Sequence, residues 1–167
     1  MRYWAGGAFA FFLALFQAAS VDQFTVLGVA PNLMLVLIIS WLVVRGLDDV
    51  LPMIAVAGLT LSFVGLQSPG IVLLALLPVV GLGLVRELHV VHSDTVLVLA
   101  LVAASTAAYE CVLLAGVMAT GGVLDVRTAF AGTVLPSVFV NLAITLPVHL
   151  VMRLAKPHGD RHRMAAY

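Results

Sequence analysis

The sequence predicts an all-α integral membrane protein, a compact bundle of six transmembrane helices, and three observations carry that expectation. The 167 residues are 63% apolar and 10% charged, against about 45–50% and about 25% in soluble domains. No ionisable side chain occurs between Asp49 and Arg86. One helix over that interval would run roughly 54 Å, far beyond a bilayer core of about 30 Å. The chain must therefore fold back, and Gln67-Ser68-Pro69-Gly70 at the middle supplies the Ser, Pro and Gly of a turn.

The first apolar run, residues 3–19, directly follows Arg2. Ala18-Ala19-Ser20 loosely resembles a small-residue cleavage site, but the run is read as a retained first helix. Gly6, Ala10, Ala14 and Ala18 fall one every four positions on one helical face. Such a stripe lets a second helix approach closely, either inside the bundle or from a partner.

The second helix is predicted over 31–44, with Pro31 at its first position, where a missing N–H costs nothing. At about 21 Å it is short for a full span, so the weakly polar passage before it either dips into the interface or starts the helix early. Arg45-Gly46 with Asp48 and Asp49 forms a short charged turn. The third helix follows over 50–66, with Pro52 in its first turn, and the fourth over 71–85, with Pro78 predicting a kink. A polar segment, Arg86 to Asp94, precedes the fifth helix over 95–118. The sixth, over 128–152, contains Pro136 and Pro147. Residues 1–152 thus form a single transmembrane domain, and 153–167 a basic tail.

Charge sets the orientation. With the N-terminus in the cytoplasm, Arg2, Arg45, Arg86, Arg153, Lys156, Arg161 and Arg163 lie inside and Arg127 alone lies outside. The positive-inside rule thus favours six helices with both termini cytoplasmic. Eight basic residues balance eight acidic ones, and no basic face suggests nucleic acid. The lone Cys111 excludes an intrachain disulfide.

Glu110 is the sharpest single residue, a carboxyl in the middle of an apolar helix. A charge at the bilayer centre costs about 3 kcal/mol on insertion scales, so it should face protein or water. Its readings are a ligand contact, a proton relay, a polar lock to another helix, or an internal hydrogen bond to Asn141 or Thr145. Asn141, a second intramembrane polar residue, reads as packing glue. His89 and His92, with Asp94, read as a solvated turn, because zinc ordinarily takes a third or fourth protein ligand. His158 and His162 in the tail read likewise. Arg45 is expected at the membrane surface, snorkelling to phosphates or anchoring a partner. No nucleophile elbow, His-Glu-x-x-His, P-loop or paired intramembrane aspartate occurs. No catalytic, cofactor or metal residue is assigned, and the expectation is a non-enzyme.

Gly28-Val29-Ala30-Pro31-Asn32-Leu33, running on into Arg45-Gly46, resembles the rod shape-determining protein MreD family. So does the stretch from Gly58 through Ser62 to Gly70, with its glycine-flanked turn, and so does Leu135-Pro136 with Asn141 through Pro147 and Arg153. The family often carries an aspartate where this chain has Ser62. The resemblance implies a membrane scaffold of the bacterial elongation machinery, in the cytoplasmic membrane. It would bind MreC and act beside MreB, RodA and a class B penicillin-binding transpeptidase, without a cofactor. It also implies a fold similar to the substrate-binding subunits of energy-coupling-factor vitamin transporters. Those subunits carry an Ala-x-x-x-Ala stripe that Ala10, Ala14 and Ala18 reproduce, so a transport subunit is the rival reading. The predicted outer loops offer mainly Asp22, Gln23, Gln67, Ser68, Asp125 and Arg127 to a ligand, which favours the scaffold.

Overall fold

The computed structural model describes residues 2–20, 23–64, 68–87, 93–123 and 125–154. Among these residues six helices form: α1 (Arg2–Ser20), α2 (Leu33–Arg45), α3 (Leu47–Val64), α4 (Pro69–Glu87), α5 (Asp94–Ala119) and α6 (Val126–Leu154). Three of them, α3, α5 and α6, are long and apolar enough to cross a membrane. The only extended pairing among the described residues is an isolated bridge between Val26 and Val29.

The short helix α2 is the centre of the bundle and touches each of the other five helices. Nine of its thirteen residues are buried, including Met34, Leu35, Ile38, Ile39 and Leu42. A helix apolar on every side has no face to give to water and ends up enclosed. Around it α1 packs on α3, α3 on α4, α4 on α5 and α5 on α6, and α6 closes back onto α2.

α2 starts later than its proline suggests. Pro31 lies outside the helix, and Asn32 is the N-cap, its side-chain oxygen accepting from the Leu35 amide at 3.0 Å. A local acceptor for an orphan N–H outweighs the N1 preference of proline. Nor does the preceding passage extend the helix. Val26 and Val29 exchange backbone hydrogen bonds of 2.9 and 3.1 Å across a tight turn in which both Leu27 (φ 56°) and Gly28 (φ 78°) are left-handed. Glycine adopts that conformation freely, whereas Leu27 pays for its Cβ.

The turn after α2 is nearly a single residue. Gly46, at φ 99°, returns its N–H to the Leu42 carbonyl at 2.8 Å, and α3 begins at once. Asp48 and Asp49 therefore sit in the first turn of α3, where carboxylates suit the helix dipole. Pro52, expected in that first turn, falls inside the helix instead. At the next reversal Pro69 opens α4, and the Ser68 carbonyl accepts from the Ile71 and Val72 amides.

α6 contains one π-helical turn, Phe130–Val134. Pro136 has no N–H, and its ring would collide with the Gly132 carbonyl of a regular helix. The Leu135 amide instead reaches five residues back to the Phe130 carbonyl, which widens the backbone just before the ring.

Candidate functional site

The buried polar groups converge at the start of α2. The Asn32 amide donates to the Asn141 side-chain carbonyl at 2.8 Å, and the Asn141 side-chain nitrogen donates to the Thr106 hydroxyl at 3.1 Å. Gln17 closes the other side. Its nitrogen donates to the Asn32 side chain at 3.3 Å, and its carbonyl accepts from the Met34 amide at 2.7 Å. Four helices, α1, α2, α5 and α6, are thus tied at one knot. The first amides of a helix have no intrahelical partner, and non-helical backbone at membrane depth is tolerated only where protein satisfies it. Gln17, Asn32 and Asn141 do so, which is how α2 can begin inside the bundle.

Asn141 is 1% exposed, and Thr145 donates to its backbone carbonyl at 2.6 Å. Gln17 belongs to the same knot and was not singled out from the sequence. It lies among apolar residues one position before Ala18, and a polar residue inside an apolar run was the signal available.

The small-residue stripe of α1 faces inward. Ala10 and Ala14 are fully buried, Ala18 is half-buried, and a Cβ on Gly6 would touch Met53 of α3 at 3.5 Å. The opposite face of α1 shows Phe12 and Phe16 to the surroundings. Gly58 makes a second close approach. A Cβ there would stand 2.5 Å from the end of the Leu73 side chain of α4, so Leu73 would have to shift to admit a side chain at this position. Ser62 is buried and spends its hydroxyl on the Leu59 carbonyl at 2.8 Å. Gly70 lies in the first turn of α4, beside Ser68.

Arg45 lies over the Trp41 ring, 4.9 Å from its centroid, and Trp41 stacks on Phe9 of α1 at 6.4 Å. A guanidinium over an aromatic face gains a cation–π attraction and complements the C-terminal end of α2.

Glu110 is half-buried on α5. The polar side chain that meets it is Ser137 of α6, neither of the two partners expected from the sequence. Asn141 and Thr145 lie one and two turns further along α6, committed to the knot and to each other. Among the described residues three buried polar side chains stand without a hydrogen-bonding partner: Ser40, Ser105 and His149, the last at both ring nitrogens. His149 was passed over in the sequence, where one histidine between Val148 and Leu150 near a helix end carries no pattern.

Among the described residues, no three His, Cys, Asp or Glu side chains gather where a metal ion could sit. His89, His92 and the tail histidines lie outside the described residues, as do Asp22 and Gln67. One groove between α3 and α4, lined by aliphatic residues such as Leu51, Ile54, Leu73 and Leu77, encloses about 330 Å³. Another, between α4 and α5, takes in Ser68 and Thr120 and encloses about 250 Å³. No family model, curated protein or solved structure matches the chain.

Proposed function

We propose that this chain is a non-enzymatic membrane scaffold of the bacterial cell-elongation complex, of the MreD type, holding MreC in the cytoplasmic membrane. MreB, RodA and a class B penicillin-binding transpeptidase would be reached through that assembly. In this reading all six helices cross the membrane and both termini lie in the cytoplasm, where the basic residues meet anionic lipid.

The observation that carries the reading is that, among the described residues, α2 fills the middle of the bundle. A substrate-binding subunit needs an enclosed site with convergent polar or aromatic groups. Here α2 occupies the middle of the bundle, and Gln17, Asn32 and Asn141 spend their polar atoms on its first turn. The grooves described above open outward and are largely aliphatic. An interior spent on packing suits a protein whose work is done by its outer faces. The resemblance of the Pro31-Asn32, Arg45-Gly46 and Gly58–Gly70 stretches to the MreD family points the same way, and in the structure the Asn32 side chain is the N-cap of the central helix.

Affinity purification of the tagged chain from its native membrane in mild detergent tests this directly. Recovery of MreC with the cell-wall synthases is the expected result. Recovery of an ATPase pair with a coupling membrane subunit, or of a bound vitamin, overturns it in favour of transport.

A further inference from the structure

The buried face of α6 carries Asn141, Thr145 and His149 in succession, one every four residues. The first two are fastened, Asn141 to Asn32 and Thr106, and Thr145 to the Asn141 backbone carbonyl. His149 is not. It is 3% exposed, and neither ring nitrogen has a hydrogen-bonding partner. α6 packs on α2 and α5, and at this level its side chain is held there by packing and by no hydrogen bond. Two residues earlier stands Pro147. Having no N–H, it leaves the Ala143 carbonyl without its helical amide, and helices bend at such points.

A proton changes what this ring needs. A neutral imidazole has one donor and one acceptor, whereas imidazolium has two donors and no acceptor. Neither donor would find an acceptor here, and a buried charge without a partner costs far more than a buried neutral group. The charged groups around the ring do not relieve this. Arg153, one turn further along α6, brings a like charge, and Asp94, the first residue of α5, brings an opposite one from an exposed position. The one ionisable residue of α2, Arg45, lies over Trp41. A charged ring is therefore better placed outside, toward Asp94 and water.

We propose that α6 beyond Pro147 is a proton-operated latch, shut on α2 and α5 while the His149 ring is neutral and released when the ring takes a proton and turns out toward Asp94. The released ring, in water, takes its proton below about pH 6.5, and the buried one has no place for it. The latch is thus shut above that pH. Each pH unit below it favours release by up to about tenfold, the limit for one proton.

Val96→Cys and Leu150→Cys, at exposed positions of α5 and α6, carry spin labels in the full chain with Cys111→Ser, reconstituted in nanodiscs. One distance is expected at about pH 8, and a second, longer one that grows in as the pH falls from about 6.5 to about 5.5. In His149→Phe, which has a ring without nitrogens, the first distance alone should persist across the range. A distance distribution that is the same at every pH, or that changes as much in His149→Phe, overturns the latch. Should His149→Phe fail to fold, histidine-selective 15N spectra of the labelled chain decide. One imidazole must then take its proton in step with the longer distance, and the lack of any such imidazole refutes the proposal.

Discussion

The backbone amide of Asn32 and the side-chain carbonyl of Asn141 meet at 2.8 Å, across 109 residues of chain. This bond caps the central helix from the last one. Replacing Asn141 by Leu strands the Asn32 amide and the Thr106 hydroxyl, and should destabilise the bundle by about 2 kcal/mol. Asn141→Asp keeps an acceptor for Asn32 but buries a carboxyl where an amide stood, so it should cost at least as much. Thermal unfolding of the purified variants in detergent checks the order.

Gly58 and Gly81 both lie within helices and should respond oppositely to alanine. At Gly58 the new methyl would meet Leu73 at 2.5 Å, whereas at Gly81 it would meet nothing within 4 Å. Overpacking typically costs about 1–3 kcal/mol, while an unobstructed helical glycine gains up to about 1 kcal/mol on becoming alanine. Gly58→Ala should lower the melting temperature and Gly81→Ala raise it or leave it unchanged. Equal effects would refute the close α3–α4 contact.

Ser40 is fully buried with no partner for its hydroxyl. A buried polar group without a hydrogen bond carries a desolvation penalty of about 1–3 kcal/mol. Ser40→Ala, nearly the same size, should therefore stabilise the bundle by about 1 kcal/mol, read as an increase in melting temperature. A loss of stability would mean that the hydroxyl has a partner in solution.

Asp125 caps the start of α6, accepting from the Arg127 amide at 3.2 Å and from the Thr128 hydroxyl. The Thr128 hydroxyl foremost, then the Arg127 amide, holds its carboxyl below the ordinary aspartate range. A carboxyl lowered on folding contributes stability above its unfolded pKa and loses it as pH falls through the folded one. The protection of the Arg127 and Thr128 amides, their exchange relative to an unstructured peptide at the same pH, should accordingly fall as the pH drops below about 4. In Asp125→Ala the same amides should lack that protection at every pH.

Much of the architecture was legible because helix existence in this chain is a matter of one-dimensional chemistry. The apolar runs, the charge-free interval from Val50 to Val85 and the breakers Gly46, Ser68 and Pro69 placed all six helices to within about three residues at each end. Pro31 misled by two residues, because the cap is decided by which side-chain oxygen reaches a free amide, and Asn32 stands next to it. The π turn before Pro136 was not read. A proline announces a conflict with its helix without stating how the backbone will relieve it.

What the sequence determined by itself was the all-helical class and the presence of polar residues inside apolar helices, since both follow from local composition. Only the tertiary structure decided which of those residues meet. It set Asn141 on Asn32 and Thr106, set Glu110 beside Ser137, and packed α1 on α3 with Gly6 facing Met53. The physical reason is that a helix fixes only the relative angles of its own side chains. How far each helix is rotated and slid against its neighbours depends on packing over the whole surface, and a shift of one residue turns a helix by about 100°. The apolar, short α2 became the centre because every other helix had one face it could turn toward it.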